Sequence, residues 1–169
     1  MRTTIKALLI GAGVVLVSGC ASQATPPTAE LFDCQALNRA VSSADNAFAE
    51  IKGRLSTTPL TRTWQTDTQA FHDACVVVSS RRPDHYLCFG PLASDDPRGA
   101  LVKGGEVVAQ CLGDDWQPRR ATADRFEFTR EGQSAVVILE TFLNDRGRRM
   151  GTLSVFQNAE HAELQPGDA

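Results

Sequence analysis

One stretch confines the fold more than any other: Cys75-Val-Val-Val-Ser-Ser-Arg-Arg-Pro-Asp-His-Tyr-Leu-Cys88. Two β-rich runs, each carrying a cysteine at its outer end, flank a turn that contains Pro83 and Asp84. Folded as a hairpin about the step between Arg81 and Arg82, the stretch sets Cys75 opposite Cys88 and Val77 opposite Tyr86. Val76 and Leu87 then share the other face. Opposed residues on antiparallel strands have Cα atoms about 4.5–5.5 Å apart, a separation a disulfide accepts. A slip of one residue would turn Cys88 to the opposite face and favour bridges between strand and helix instead.

Whether cysteines pair depends on the compartment, and the N-terminus addresses that. Arg2 and Lys6 precede an apolar run over 7–17. A bilayer crossing takes about 20 apolar residues, so the run has the layout of a secretory signal rather than a membrane span. Val17-Ser18-Gly19-Cys20 closes it. This segment resembles the lipobox of bacterial lipoproteins, which implies that 1–19 is removed and that Cys20 becomes the lipidated N-terminus, carrying diacylglycerol and an amide-linked acyl chain such as palmitate. Two or three acyl chains hold a protein durably where one holds it marginally. In the same family an Asp after the lipidated cysteine commonly marks retention in the inner membrane. Here Ala21 follows, so the resemblance implies an outer-membrane anchor with the domain in the periplasm.

Residues 20–28 are small, polar and proline-containing, the composition of a flexible tether. A single domain is expected over 29–157 and a polar, acidic, disordered tail over 158–169. Loss of the signal removes two basic residues and takes the formal charge from −3 to −5. Such a domain has no electrostatic reason to bind nucleic acid or anionic headgroups. The arginines at 81–82, 119–120 and 146, 148 and 149 fall in expected turns and read as solvated charge.

With Cys20 lipidated, Cys34, Cys75, Cys88 and Cys111 remain, and an even number in an oxidising compartment implies disulfides. Apolar residues at Cys34, Leu37, Val41, Ala44, Phe48, Ile51 and Leu55 follow a helical period, with Thr28 as cap and Gly53 as stop. A second helix is expected from Pro97, capped by Asp96, to Leu112, ending at Gly113, with Leu101, Val108, Cys111 and Leu112 on its apolar stripe. Gly104-Gly105 is unfavourable in its middle. Pairing Cys75 with Cys88 leaves Cys34 and Cys111 to join the two helices.

Further strands are expected over 125–130, 135–143 and 150–157, with a short addition at 61–66. The run at 135–143 is apolar on both faces, as in a central strand; Phe126 and Phe128 alternate with charge, as in a half-exposed one. The expected class is α+β: an antiparallel sheet of about five strands, two helices on one face and two disulfides. No internal repeat is visible.

No catalytic constellation emerges. His72-Asp73 is an adjacent His–acid pair, a weak basis for a base and its orienter because neighbours along a chain point apart. No serine stands in a nucleophile elbow, Asp95-Asp96 and Asp114-Asp115 read as helix flanks rather than a calcium loop, and the cysteines lack zinc spacing. Neither cofactor nor metal is implied. Trp64 and Trp116 read first as core or hairpin-cover residues; Asp114-Asp115-Trp116 is the candidate partner surface, since a loop aromatic is a frequent interface anchor. The expected function is therefore a non-enzymatic binding, assembly or inhibitor module, bound to the membrane through Cys20 and engaging an envelope protein. The alternative is a small envelope hydrolase or peptidoglycan-modifying enzyme.

Overall fold

The computed structural model describes residues 28–72, 74–80, 83–91 and 96–157. The signal, lipidation and tether expectations, Asp73, the turn at 81–82 and the acidic tail lie outside the described residues. The elements are α1 (Cys34–Ser43), β1 (Leu55–Thr57), β2 (Arg62–Gln65), β3 (Cys75–Ser79), β4 (His85–Pro91), α2 (Pro97–Leu112), β5 (Gln117–Thr122), β6 (Arg125–Thr129), β7 (Val136–Leu143) and β8 (Arg149–Phe156), with short 3-10 turns at Thr28–Leu31, Ala44–Asn46 and Ala49–Ile51.

All eight strands form one antiparallel sheet in the order β1-β2-β3-β4-β8-β7-β6-β5. This corrects the expected five-stranded α+β arrangement: the molecule is mostly β. The strands without a clear sequence signal are the two edges. β1 has three residues, all exposed, and every residue of β5 is exposed, so neither alternates apolar with polar. Pro118, Arg119 and Arg120 on β5 are residues that blunt an open edge against pairing with another chain. The order also exposes an internal symmetry invisible in the sequence. Two four-stranded meanders, each preceded by a helix, meet antiparallel where β4 pairs with β8.

The β3–β4 register is the one expected for a turn centred between Arg81 and Arg82, not the one-residue slip: Cys75 faces Cys88, Val76 faces Leu87 and Val77 faces Tyr86. Cys75 is bonded to Cys88, and Cys34 to Cys111. In the chain-entropy picture the second bridge, spanning 77 residues, constrains the unfolded chain by about 4.5 kcal/mol, the hairpin bridge by about 3 kcal/mol.

α2 runs between its expected limits, with Asp96 accepting from the Arg98 amide at 3.2 Å and Gly113 following its last residue. Its glycine pair has a packing reason. A Cβ on Gly104 would lie 3.1 Å from Leu139, and one on Gly105 would lie 3.3 Å from the Phe126 ring, so the helix rests directly on β6 and β7. α1 is shorter than its apolar stripe. Asp33, not Thr28, caps it by accepting from the Ala36 amide at 3.0 Å, and it ends at Ser43. Asn46 accepts from the Ala49 amide while Ala47 and Phe48 take left-handed φ of 56° and 62°. Short polar side chains that compete for backbone groups explain the break. Leu37, Val41, Ala44, Phe48 and Ile51 are all buried even so, because the turns after the break keep facing the sheet.

The main core lies between the helices and one sheet face, where Val77, Tyr86, Phe128, Val137, Leu139, Leu153 and Val155 are buried. On the opposite face Val136, Ile138 and Phe156 form a separate buried cluster, so the interior strand β7 is buried on both sides over its first four residues. β6 departs from its half-exposed expectation: Arg125 and Glu127, which alternate with Phe126 and Phe128, are themselves buried and paired at 3.0 Å.

Candidate functional site

A polar concavity sits where the start of α1 meets the loop before β3. Phe32 and Phe71 join the two segments by a β-bridge, with rings 4.8 Å apart. Backbone bonds from the Asp33 amide to the Ala70 carbonyl, 3.1 Å, and from the His72 amide to the Leu31 carbonyl, 3.0 Å, close the seam. The loop is fixed from below by Tyr86, whose hydroxyl donates to the Thr68 carbonyl at 2.6 Å and accepts from the Ala70 amide at 2.9 Å. Burial pushes the Tyr86 phenol well above its ordinary range, so this link stays protonated. Gln69 donates to the Thr66 carbonyl at 2.6 Å and accepts from the Cys75 amide at 3.0 Å.

The resulting cleft, about 720 Å³, is bordered by Glu30, Asp33, Cys34, Gln35, Gln69 and His72. His72 holds a left-handed φ of 52°, uncommon for a residue with a Cβ. Its ring packs edge-on against Phe71 and over Gly90 of β4, where a Cβ would lie 2.2 Å from a ring carbon. Two carboxylates, an imidazole and an exposed disulfide half therefore share one surface. No hydroxyl nucleophile borders the cleft among the described residues. Of the His72-Asp73 pair, His72 borders it, and Asp73 lies outside the described residues.

A second groove, of about 630 Å³, runs between α2 and the β5–β6 hairpin and is lined by Arg98, Lys103, Glu106 and Arg120. Arg120 is held by the Thr122 and Ala123 carbonyls and lies over the Phe126 ring. Arg119 pairs with Glu127, and Arg149 with Asp124 at 3.3 Å. Lys52 is paired with Asp84 and lies 4.3 Å from the Trp64 ring centroid. Burial works to raise the Asp84 carboxyl, but hydrogen bonds from Lys52 and Ser79 and the charges of Lys52 and Arg62 outweigh it and hold the group below its usual range.

The expected partner surface is divided. Asp114 and Asp115 are exposed, and Asp115 meets Arg130 at 3.4 Å. Trp116 is 6% exposed and belongs to the main core. It is therefore not the projecting aromatic anchor envisaged for that loop, and offers a partner nothing without opening the core. Among the described residues no three His, Cys, Asp or Glu side chains come together as a metal-ligand set, and no helix is long and apolar enough to cross a membrane.

The chain matches no protein-family model, no curated protein and no solved structure.

Glu30, Asp33, Gln35 and Gln69 were not candidates on sequence grounds. They come from two separate stretches that only the Phe32–Phe71 bridge brings together. The one local signal was Asp33 before Cys34-Gln-Ala-Leu, an N-cap residue ahead of an apolar period.

Proposed function

We propose that this chain is a lipoprotein of the bacterial envelope, anchored in the outer membrane through Cys20, whose domain is a non-enzymatic binding, assembly or inhibitor module. The observation that carries the proposal is the order of charge, apolar run, small residues and cysteine that ends at Val17-Ser18-Gly19-Cys20. Support comes from the remaining cysteines, all four of which are in disulfides, as suits an oxidising compartment. The exposed pair Asp114 and Asp115 is the part of the α2–β5 loop open to a protein partner.

The test is metabolic labelling with a palmitate analogue and density fractionation of the wild type and of Cys20→Ala. The wild type is expected to be labelled and to sediment with the outer membrane, and the variant to be unlabelled. An unlabelled, soluble wild type would overturn the anchor. Photo-crosslinkers at positions 114 and 115 should then capture one dominant envelope protein. Absence of any adduct would overturn this loop as the contact.

A further inference from the structure

The two disulfides have opposite surroundings. Cys75 and Cys88 are 5% and 0% exposed, inside the main core under the helices. Cys34 is exposed at the first position of α1 and borders the polar cleft, while Cys111, its partner on the last turn of α2, is 8% exposed. We infer that Cys34–Cys111 is a thiol–disulfide exchange site, opened in the folded protein by a protein dithiol that docks at the cleft beside Cys34.

Access decides which sulfur is attacked. Exchange needs a thiolate to reach a disulfide sulfur, and only Cys34 presents its side to solvent. The incoming thiolate bonds to Cys34 Sγ, the Cys34–Cys111 bond breaks, and Cys111 leaves as a thiolate that takes a proton. The second thiol of the partner then attacks the mixed disulfide, releasing the Cys34 thiol. Two electrons and two protons pass from the dithiol to this bridge, and the partner ends as its own disulfide. The start of α1 supplies backbone amides that stabilise a Cys34 thiolate, while the Asp33 carboxylate opposes this from the cap.

The fold is built to outlast the step. With the bridge open, Asn38 of α1 still donates to the Cys111 carbonyl at 3.0 Å, and Leu37, Val41 and Leu101 remain buried against the sheet. Cys75–Cys88 continues to staple β3 to β4 independently. The cleft also selects the reductant. Glu30 and Asp33 border the cleft with Cys34, so a small anionic thiol such as glutathione is repelled by two carboxylates, whereas a neutral or basic loop carrying a protein cysteine is not. This inference needs no lipid at Cys20 and stands apart from the anchor.

The full chain, purified oxidised in detergent, is mixed without denaturant with a thioredoxin-type protein dithiol or with glutathione at equal thiol concentration. Exposed thiols are alkylated at intervals and mapped by peptide mass. Cys34 and Cys111 should be labelled at least about tenfold faster than Cys75 and Cys88, and at least about tenfold faster with the protein dithiol than with glutathione. A thioredoxin-type protein lacking its resolving cysteine should be trapped on Cys34. Labelling of all four cysteines at one rate, equal rates with glutathione, or trapping on Cys111 would overturn the inference. A Cys34→Ser/Cys111→Ser variant provides the second check. It should keep the far-UV circular dichroism and the Cys75–Cys88 bond of the parent, and failure to fold would contradict exchange in the native state.

Discussion

Replacing Tyr86 by Phe removes one oxygen and almost no volume, which makes it a clean test of how the cleft wall is held. That oxygen receives the Ala70 amide at 2.9 Å and donates to the Thr68 carbonyl at 2.6 Å, and both residues are essentially buried, 0% and 2% exposed. A net hydrogen bond contributes roughly 0.5–1.5 kcal/mol, and a buried group left without a partner costs about 1–3 kcal/mol. With two groups affected and partial relaxation of the loop, Tyr86→Phe should lose about 2–4 kcal/mol. Urea unfolding of the disulfide-intact protein, followed by circular dichroism, reads this as a lower midpoint at unchanged slope. Hydrogen exchange of the Ala70 amide should accelerate with it. A loss below about 0.5 kcal/mol would refute the reasoning, because the loop carrying His72 would then be held by something other than Tyr86. The phenol's raised titration adds an alkaline arm. A group raised in the folded state contributes stability that is complete below its unfolded value, about 10, and is lost as pH rises beyond it. The phenylalanine variant should lack that alkaline loss.

Asp84 gives the opposite sign: its lowered carboxyl contributes stability that is complete above its unfolded value, near 4, and is lost as pH falls through the folded one. Asp84→Asn should flatten the acid limb of a stability–pH curve and leave it parallel to wild type above pH 6 or so. Gly90→Ala should cost about 1–3 kcal/mol through collision with the His72 ring. His72→Ala should relieve most of that cost in a double-mutant cycle measured by urea, whereas additive losses would show that the two residues do not touch. Glu127→Ala removes the carboxylate shared by Arg119 and Arg125 and should cost about 3 kcal/mol by thermal unfolding, since the Arg125 guanidinium is buried.

The parts of the fold legible in the sequence were those with a strong local signal. The β3–β4 register followed from two cysteines and a Pro-Asp turn. The limits of α2 followed from Asp96, Pro97 and Gly113, and the interior place of β7, between β8 and β6, from an apolar run on both faces. What escaped had its cause elsewhere in the chain. β1 and β5 are exposed edges and carry no alternation. The stripe of α1 continues through Phe48 although its helix does not, because helical period reports which side chains face the sheet, not whether the backbone stays helical. Arg125 and Glu127 look like surface charge until β5 and β7 place Arg119 and Glu140 beside them. The cleft was least legible of all. Only His72 and Cys34 stood out before folding, and the carboxylates that join them owe their place to the Phe32–Phe71 bridge. Trp116 was legible as a core residue and misleading as an anchor.

Intact-mass spectrometry of the protein extracted from envelope membranes, alkylated in denaturant without reductant, tests the export and anchoring account in one spectrum. The account predicts a chain that begins at Cys20, carries the mass of three acyl chains and glycerol, and takes up no alkyl groups, its other four cysteines being paired. An unlipidated chain retaining residues 1–19, or four alkylated thiols, would contradict it.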